Sequence, residues 1–352
     1  MREPVTHRHF PPEWAEQSAV LIAWPTRDGA FADCLDEAVE TYVHIATAIS
    51  RREHVLIACP DATLQASILD RIQASQGVTS RVRFVDVRYD DIWVRDTAPL
   101  SIETTAGPIL LNFRFNGWGG KYDCANDAAF GSGVVHAGVF RGVGNETSPM
   151  VLEGGSIETD GAGTLLTTRF CLSNPNRNPD LSAAAIEAEL TERLGIDRLL
   201  WLDHGHVAGD DTDAHVDTLA RFCDEHTIAF TACDDPGDPH YASLSAMAEE
   251  LRSFRTRTGL PYRLIPLPIP QPILAPDGTR LPATYANFLI INEAVLVPIY
   301  GDANDALAIE RLDRSFPGRE IVPIDCRILI RQYGSLHCMT MQFPNTFSLT
   351  SP

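Results

Sequence analysis

The segment Gly334-Ser335-Leu336-His337-Cys338, near the C-terminus, places a cysteine next to a histidine. Upstream, Asp211-Thr212-Asp213-Ala214-His215-Val216-Asp217 surrounds a second histidine with aspartates. A thiol is a strong nucleophile only as thiolate, so it needs a base or a positive charge nearby. Carboxylates around a histidine hold a cation and keep the imidazole protonated. Together the two segments favour an enzyme whose substrate brings the positive charge, as a guanidinium does.

A guanidinium is planar and stays protonated at physiological pH, with a pKa above about 12. Carboxylates match its N–H edges bidentately, and Asp217 is one candidate for such a clamp. A second is Asp96 in the stretch 90–99 (DDIWVRDTAP), where Trp93 would stack on the cation for about 0.5–2 kcal/mol. From these residues alone, Asp96 fits equally well as the partner of Arg95 or as a turn residue, and Trp93 as a core aromatic.

Six motifs follow one another from about residue 90 to the C-terminus. They are 93–99 (WVRDTAP), 115–121 (FNGWGGK), 152–158 (LEGGSIE), 171–179 (CLSNPNRNP), 211–217 (DTDAHVD) and 337–342 (HCMTMQ). In this order they resemble the agmatine deiminase family, which is related to the bacterial peptidylarginine deiminases and the wider guanidine-modifying superfamily. The resemblance before residue 90 is weaker.

The resemblance implies a role for six residues. Cys338 would be the nucleophile, His215 the general acid and base, and Asp96 and Asp217 the guanidinium clamps, with Trp93 and Glu153 in the same pocket. Two further substrate-binding candidates are Trp118, within one of the motifs, and Asp211, in the acidic stretch. The implied reaction is two-step covalent catalysis that releases ammonia and then a ureido product, with no metal or organic cofactor.

The alternation of strand-like and amphipathic helical stretches indicates an α/β fold. Strands are predicted at 54–59, 109–115, 227–233 and 288–298, and helices after a cap at Asp33 and at 180–194, 241–254 and 304–316. The resemblance implies more: a closed five-bladed pseudo-symmetric α/β propeller of the pentein type, as one catalytic domain over 1–352, with the site on its axis. No internal repeat is visible, and the proline-rich segment 266–282 is predicted to be a loop over the site.

The formal net charge of -19 argues against nucleic acid or an anionic membrane as partner and favours a small cationic substrate. No apolar run approaches the roughly 18 residues of a membrane span, and residues 1–14 do not have the pattern of a signal peptide. Eight cysteines lie scattered without C-x-x-C pairs, which is typical of reduced thiols in a cytoplasm. All but Cys338 are expected to be bystanders. The sequence leaves a homo-oligomer open.

Two other classes of protein compete with this interpretation. A metal-dependent hydrolase would use the ligands His204, His206, Asp210, Asp211, Asp213, His215 and Asp217, although their spacing fits no helical ligand motif. A calcium loop fails because Val216 stands where the turn glycine belongs, and Phe222 replaces the bidentate glutamate. A non-catalytic acidic binding module is the second competitor. His337 is predicted to point to the opposite side of a strand from Cys338, and so is not the base.

The substrate is decided by the charge at its far end. Arginine carries a carboxylate that calls for a dedicated cation, whereas agmatine ends in an ammonium that Asp211 would bind. The sequence favours agmatine, giving N-carbamoylputrescine for putrescine and polyamine synthesis, with peptidylarginine and arginine as alternatives. Tyr333 stands where many relatives have a glycine and is expected to change the shape of the pocket.

Overall fold

Five β-sheets form the framework of the protein. The structure is a computed structural model and describes residues 7–351. In every sheet, a central strand pairs antiparallel with one neighbour and parallel with the other. In their order across each sheet, the strands are Met341–Pro344, Gln17–Ala23, His54–Ala58 and Val82–Val85; Arg8–His9, Leu100–Thr104, Ile109–Arg114 and Gly144–Val151; Arg198–Leu202, Thr164–Thr168 and Ile157–Thr159; Ala220–Asp224, Thr227–Ala232 and Arg263–Pro268; and Leu289–Ile291, Ala294–Ile299 and Glu320–Asp325.

Helices make the crossovers between the parallel strands, because a parallel pair cannot be joined by a tight turn. The longer helices are Leu35–Ser50, Ala62–Ala74, Asp127–His136, Ala183–Leu194, Tyr241–Ser253 and Asp305–Asp313. The shorter α-helical turns are Val94–Thr97, Gly117–Gly120 and Arg169–Leu172, and the 3₁₀ turns are Ala32–Cys34, Thr79–Arg81, Gly154–Ser156, Val216–Thr218 and Leu329–Gln332. The same arrangement of an antiparallel pair, a helix and a parallel strand therefore recurs in all five sheets.

The two ends of the described chain meet in one sheet. The C-terminal strand Met341–Pro344 pairs antiparallel with Gln17–Ala23, which in turn pairs parallel with His54–Ala58. The segment with Cys338 precedes this C-terminal strand, and Glu13 precedes Gln17–Ala23. The pairing therefore brings the N-terminal segment next to the cysteine.

Three predicted strands are confirmed, each ending one residue before its predicted end. The fourth, 288–298, is wrong as a single strand because it is a hairpin of Leu289–Ile291 and Ala294–Ile299. The turn between them puts Glu293 at a φ of 61°. A two-residue turn without glycine or proline leaves the apolar pattern nearly continuous, so the sequence did not reveal it.

The predicted helices are present, with corrected ends. Asp33 is not the cap of Leu35–Ser50; it lies inside a 3₁₀ turn, and Cys34 precedes the helix without a side-chain cap. The helix predicted from Asp180 begins at Ala183, where the Ser182 hydroxyl accepts a hydrogen bond from the Ala185 N–H. Among the residues that the structure describes, no helix has both the length and the apolar character to cross a membrane.

Candidate active site

Five chain segments converge at one point, and each lies just before the strand that pairs antiparallel with the central strand of one sheet. They are residues 93–97, 153–156, 215–218, 284–287 and 335–340. Hydrogen bonds join them: the Arg95 N–H donates to the Cys338 carbonyl over 3.1 Å, and the Asn287 amide donates to the Asp217 carbonyl over 3.3 Å. The repeated fold thus gathers side chains that are far apart in sequence.

A cavity of about 230 Å³ opens onto Cys338. It is lined by Ala30, Asp91, Trp93, Asp96, Trp118, Tyr122, Asp211, Thr212, Gln332, Tyr333, Gly334 and Cys338. The charged lining residues are Asp91, Asp96 and Asp211, and no arginine or lysine of the described chain belongs to the lining. None of the segment 266–282 lines it either, so the prediction of a loop over the site is wrong. The cavity therefore presents only negative charge to a ligand.

The Cys338 thiol is buried at the inner end of this cavity. Its sulfur lies 3.6 Å from Asp217 Oδ2 and 3.3 Å from the Asn287 side-chain nitrogen. Burial and the nearby carboxylates of Asp217 and Asp96 raise the pKa of Cys338 well above its ordinary value. The thiol is thus protonated in the empty site, and a cation entering between these carboxylates would favour the thiolate.

His215 is buried beside two carboxylates. Its Nδ1 lies 3.7 Å from Asp96 Oδ1, and its Nε2 lies 3.8 Å from Glu153 Oε2. Although burial opposes the charged form, Asp96, Glu153 and the contact with Cys171 raise the pKa of His215 well above its ordinary value. The imidazole is therefore protonated at neutral pH and can act as an acid.

Asp96 is held in one orientation by two donors. The Trp118 indole N–H donates to Oδ2 and the Gly155 N–H to Oδ1, each over 2.9 Å. Burial, together with the charges of Asp217 and Glu153, raises the pKa of Asp96 to about 6. Asp96 makes no ion pair with Arg95 in the described chain, where Arg95 lies 3.7 Å from Glu13 instead, so the interpretation of Asp96 as the partner of Arg95 is wrong.

Asp217 is fully buried, and its two oxygens differ. Oδ2 lies 2.8 Å from His337 Nδ1, whereas Oδ1 has no hydrogen-bond partner in the described chain. Gly155 makes this close grouping possible, since a Cβ there would lie 2.6 Å from His215 Nδ1 and 2.9 Å from Asp96 Oδ1. A buried carboxylate oxygen without a partner can accept a hydrogen bond from a donor that enters beside the Cys338 thiol.

Glu153 lies behind His215 and does not line the cavity. Both of its carboxylate oxygens are 3.0 Å from the Arg177 Nε. Arg177 also pairs with Asp213 and donates to the Thr212 carbonyl over 2.9 Å, which fixes the loop before His215. Glu153 therefore acts on the histidine and not as a wall of the cavity.

Trp93 forms one wall, against which Gly334 packs so closely that a Cβ would lie 2.5 Å from the indole ring. Next to it, Tyr333 has a φ of 67° and a side chain that is 45% exposed at the cavity mouth. The expectation that Tyr333 shapes the pocket agrees with its place in the lining.

The outer end of the cavity carries two aspartates with different partners. Asp211 accepts from the Tyr122 hydroxyl and lies 3.5 Å from the Lys121 ammonium, which is also 3.1 Å from Asp213. Asp91 receives the Ile92 N–H over 2.7 Å, and burial raises its pKa to about 6. Asp211 is thus within ion-pair distance of Lys121, which was not predicted to be near the site.

Several of these residues were not predicted from the sequence. Missed were Asp91, Tyr122, Cys171, Arg177 and Asn287. Asn287 lies directly before the predicted strand 288–298, in an apolar stretch that gave no sign of a site. Arg177 lies within one of the six motifs but had no assigned role.

The residues proposed as ligands of a metal site, 204–217, do not form a metal-binding cluster in the described chain. His204 lies 2.6 Å from Glu250, and His206 packs on the ring of His240. In the described residues, the side chains that bring three ligand atoms within 4.8 Å of one another are Glu153, Cys171 and His215, and Glu13, Glu158 and His337. Arginines already pair with the carboxylates of both groups, which leaves little reason for a cation to bind there.

A family model, Porphyromonas-type peptidyl-arginine deiminase, matches residues 9–344 of this chain. The chain belongs to this family. The agmatine deiminase of Pseudomonas fluorescens is 35% identical, over 96% of this chain and 95% of its own length. The predicted relation to the agmatine and peptidylarginine deiminases is confirmed, and with it the prediction that the chain is a hydrolase of C–N bonds in amidines.

Solved structures of related proteins have the same fold as this chain. An agmatine deiminase of C. jejuni with substrate bound superimposes with a TM-score of 0.88 at 34% identity, covering 100% of this chain and 99% of that one. A Porphyromonas gingivalis protein provisionally described as an arginine deiminase gives a TM-score of 0.89 at 45% identity, covering 97% and 99%. The predicted α/β class is confirmed.

Proposed function

We propose that the protein hydrolyses agmatine to N-carbamoylputrescine and ammonia through a covalent intermediate on Cys338. The observation that carries this proposal is a buried cysteine facing a cavity whose charged walls are all aspartates. Agmatine is positive at both ends, with a guanidinium at one and an ammonium at the other. The names of the relatives in P. fluorescens and C. jejuni support the same substrate.

The guanidinium would lie between Asp96 and Asp217, with Trp93 against its face. Asp217 Oδ1 is buried and without a partner in the described chain, so it is available for an N–H of the substrate. Asp96 already accepts from Trp118 and Gly155, and these donors fix its orientation before the substrate arrives.

In the first step, the entering cation lowers the pKa of Cys338, and the thiol gives its proton to solvent water, as the proton that the overall reaction releases. A sulfur–carbon bond forms, protonated His215 gives its proton to the departing nitrogen, and ammonia leaves a thiouronium on the enzyme. In the second step, neutral His215 takes a proton from water, and the oxygen bonds to the carbon. The carbon–sulfur bond then breaks to release the ureido product and the thiol.

Glu153 and Trp118 would support this chemistry from behind the substrate. Glu153 lies 3.8 Å from His215 and favours its charged form, and Trp118 holds Asp96. At the outer end, Asp91 and Asp211 would bind the distal ammonium. Asp211 is already paired with Lys121, whereas no arginine or lysine of the described chain lies in the lining beside Asp91. Asp91 would therefore be the main partner of the ammonium.

Arginine or peptidylarginine remains the alternative substrate. The observation that favours it is Lys121, which lies near the outer end and would suit an α-carboxylate. Against it, Lys121 already lies within ion-pair distance of Asp211 and Asp213. The occupied lysine favours agmatine.

We also propose that the chain is one catalytic domain in which five units close around the site as a pseudo-symmetric propeller. The recurring strand arrangement and the five converging segments support this view. Residues 1–6 and 352 lie outside the described residues. The eight cysteines are unpaired, which supports a reducing, cytoplasmic setting.

Ammonia release from agmatine, free arginine and a blocked arginine peptide, measured side by side, tests the function. We expect kcat/KM to be highest for agmatine, unaffected by a chelator, and abolished by alkylation of the thiol. Equal or better use of arginine would refute the substrate, and loss of activity with the chelator would favour the metal-dependent alternative.

A further inference from the structure

On the side of Cys338 away from the cavity, a buried chain of groups has no part in the reaction as written. His337 was predicted to lie on a strand, but the structure places it in a turn. Its ring faces away from the cavity. Its Nδ1 is 2.8 Å from Asp217 Oδ2, and its Nε2 is 2.7 Å from Glu13 Oε2. All three side chains are buried.

Glu13 anchors this chain to the rest of the fold. Its Oε1 accepts the Ile290 N–H over 2.7 Å, and its Oε2 lies 2.8 Å from the Arg221 guanidinium and 3.7 Å from that of Arg95. Despite burial, Arg221 and His337 hold the pKa of Glu13 well below its usual range. Glu13 is therefore a fixed negative charge.

The protonation of His337 depends on its neighbours. Both ring nitrogens face carboxylate oxygens, and only an imidazolium can donate at both. Burial, Arg221 and Arg95 lower the pKa of His337, whereas Glu13 and Asp217 favour its charged form. The remaining groups near the ring are Glu158, which pairs with Arg221, and the adjacent Cys338. The net effect of these neighbours lowers the pKa of His337, whereas its two short contacts with carboxylate oxygens need a charged ring. The contacts decide here, and Glu13 is the neighbour that most favours the charge.

We infer that Glu13 and His337 act as a positioning relay for the Asp217 clamp. His337 holds Asp217 Oδ2 and leaves Oδ1 without a partner in the described chain, so that Oδ1 is free to accept from the substrate. It also draws negative charge away from the oxygen that lies 3.6 Å from the Cys338 sulfur. The inference rests on the proposed function, since it assigns support for one of its two clamps.

The test compares His337→Gln and Glu13→Gln with the control Glu158→Gln. Glu158 pairs with Arg221 in the same network but makes no hydrogen bond to His337 in the described structure. Steady-state kinetics with agmatine are measured across pH, and agmatine binding is measured by calorimetry in a Cys338→Ser background.

We expect His337→Gln to raise both KM and the Kd by about tenfold or more, the size expected for a lost buried charge-assisted bond. Glu13→Gln should move the alkaline decline of kcat/KM to lower pH, because His337 then loses its proton more readily. Glu158→Gln should keep the wild-type profile. A merely structural role would lower the active fraction, and hence kcat, with KM and Kd unchanged.

An unchanged Kd in His337→Gln, or the same pH shift in Glu158→Gln, would overturn the relay. If His337→Gln fails to fold, as judged by circular dichroism, the nearly isosteric Glu13→Gln decides through its pH profile. Wild-type protein that does not turn over agmatine would refute the proposed function. Normal wild-type turnover with unaffected variants would refute the relay alone.

Discussion

The two sides of Cys338 carry buried carboxylates under opposite conditions. On the far side, Glu13 is paired with Arg221 and its pKa is held low. On the cavity side, Asp96 has only hydrogen-bond donors and a nearby histidine, and its pKa is raised to about 6. A buried carboxylate without a cation nearby is costly. Asp96 on the cavity side therefore attracts a cation, whereas Glu13 on the far side already has one in Arg221.

Replacing the nucleophile between these two sides should have the largest effect. Cys338→Ser should lower kcat by at least about 10⁴-fold, because a hydroxyl is a far weaker nucleophile at neutral pH, while agmatine still binds. Ammonia release and calorimetry measure the two effects. Cys59→Ser, at a buried cysteine outside the cavity lining, is the matched control. Substantial activity in Cys338→Ser would rule out the covalent mechanism.

Removing one negative charge from the substrate clamps should cost less. Asp96→Asn and Asp217→Asn should each lower kcat/KM by about 10²–10³-fold, since each loses a charge-assisted contact with the guanidinium. The fold should persist, because amide and carboxylate are nearly isosteric. Asp197→Asn, in an exposed pair with Arg257, serves as the control. Near-normal kinetics in either clamp variant would remove that residue from the site.

The raised pKa of Asp96 predicts how activity depends on pH. Only the ionised carboxylate can clamp a cation, so kcat/KM should be full above the pKa and should fall as the pH drops through about 6. Trp118→Phe removes a donor that stabilises the carboxylate, so this decline should move to higher pH. A pH profile of both proteins tests the shift. An acid limb that does not move in Trp118→Phe would assign it to another group.

The sequence predicted the part of the site whose residue types are themselves chemically unusual. A cysteine after a histidine and a histidine between aspartates can be recognised in the sequence itself. The structure brings Cys338, His215, Asp96 and Asp217 together. Asn287 lies in an apolar stretch, and nothing in its neighbours signals that its amide would reach the Cys338 sulfur. Its importance comes from position in space, which depends on pairing between distant strands.

The fold was predictable to a similar extent. Apolar runs predicted three strands correctly, and amphipathic stretches predicted four helices with shifted ends, since these patterns follow from local burial. The other strands and helices were not predicted. The fivefold recurrence of strand pairing left no trace, because the units share hydrogen-bond topology and not side chains. The turn at Glu293 was missed for a related reason: its positive φ is stabilised by the hairpin on either side.

The smallest expected effect concerns Tyr333 at the cavity mouth. Its φ of 67° suits glycine and costs a larger residue about 1–2 kcal/mol. Tyr333→Gly should therefore raise the unfolding temperature by about 1–2 °C, offset in part by lost contacts, and should lower the preference for agmatine over arginine a few-fold. Tyr333→Ala widens the mouth equally but keeps the strained backbone. If the two variants have the same altered selectivity but differ in stability, the side chain shapes the cavity mouth and the backbone carries the strain. If both variants keep the wild-type selectivity, Tyr333 has no part in choosing the substrate.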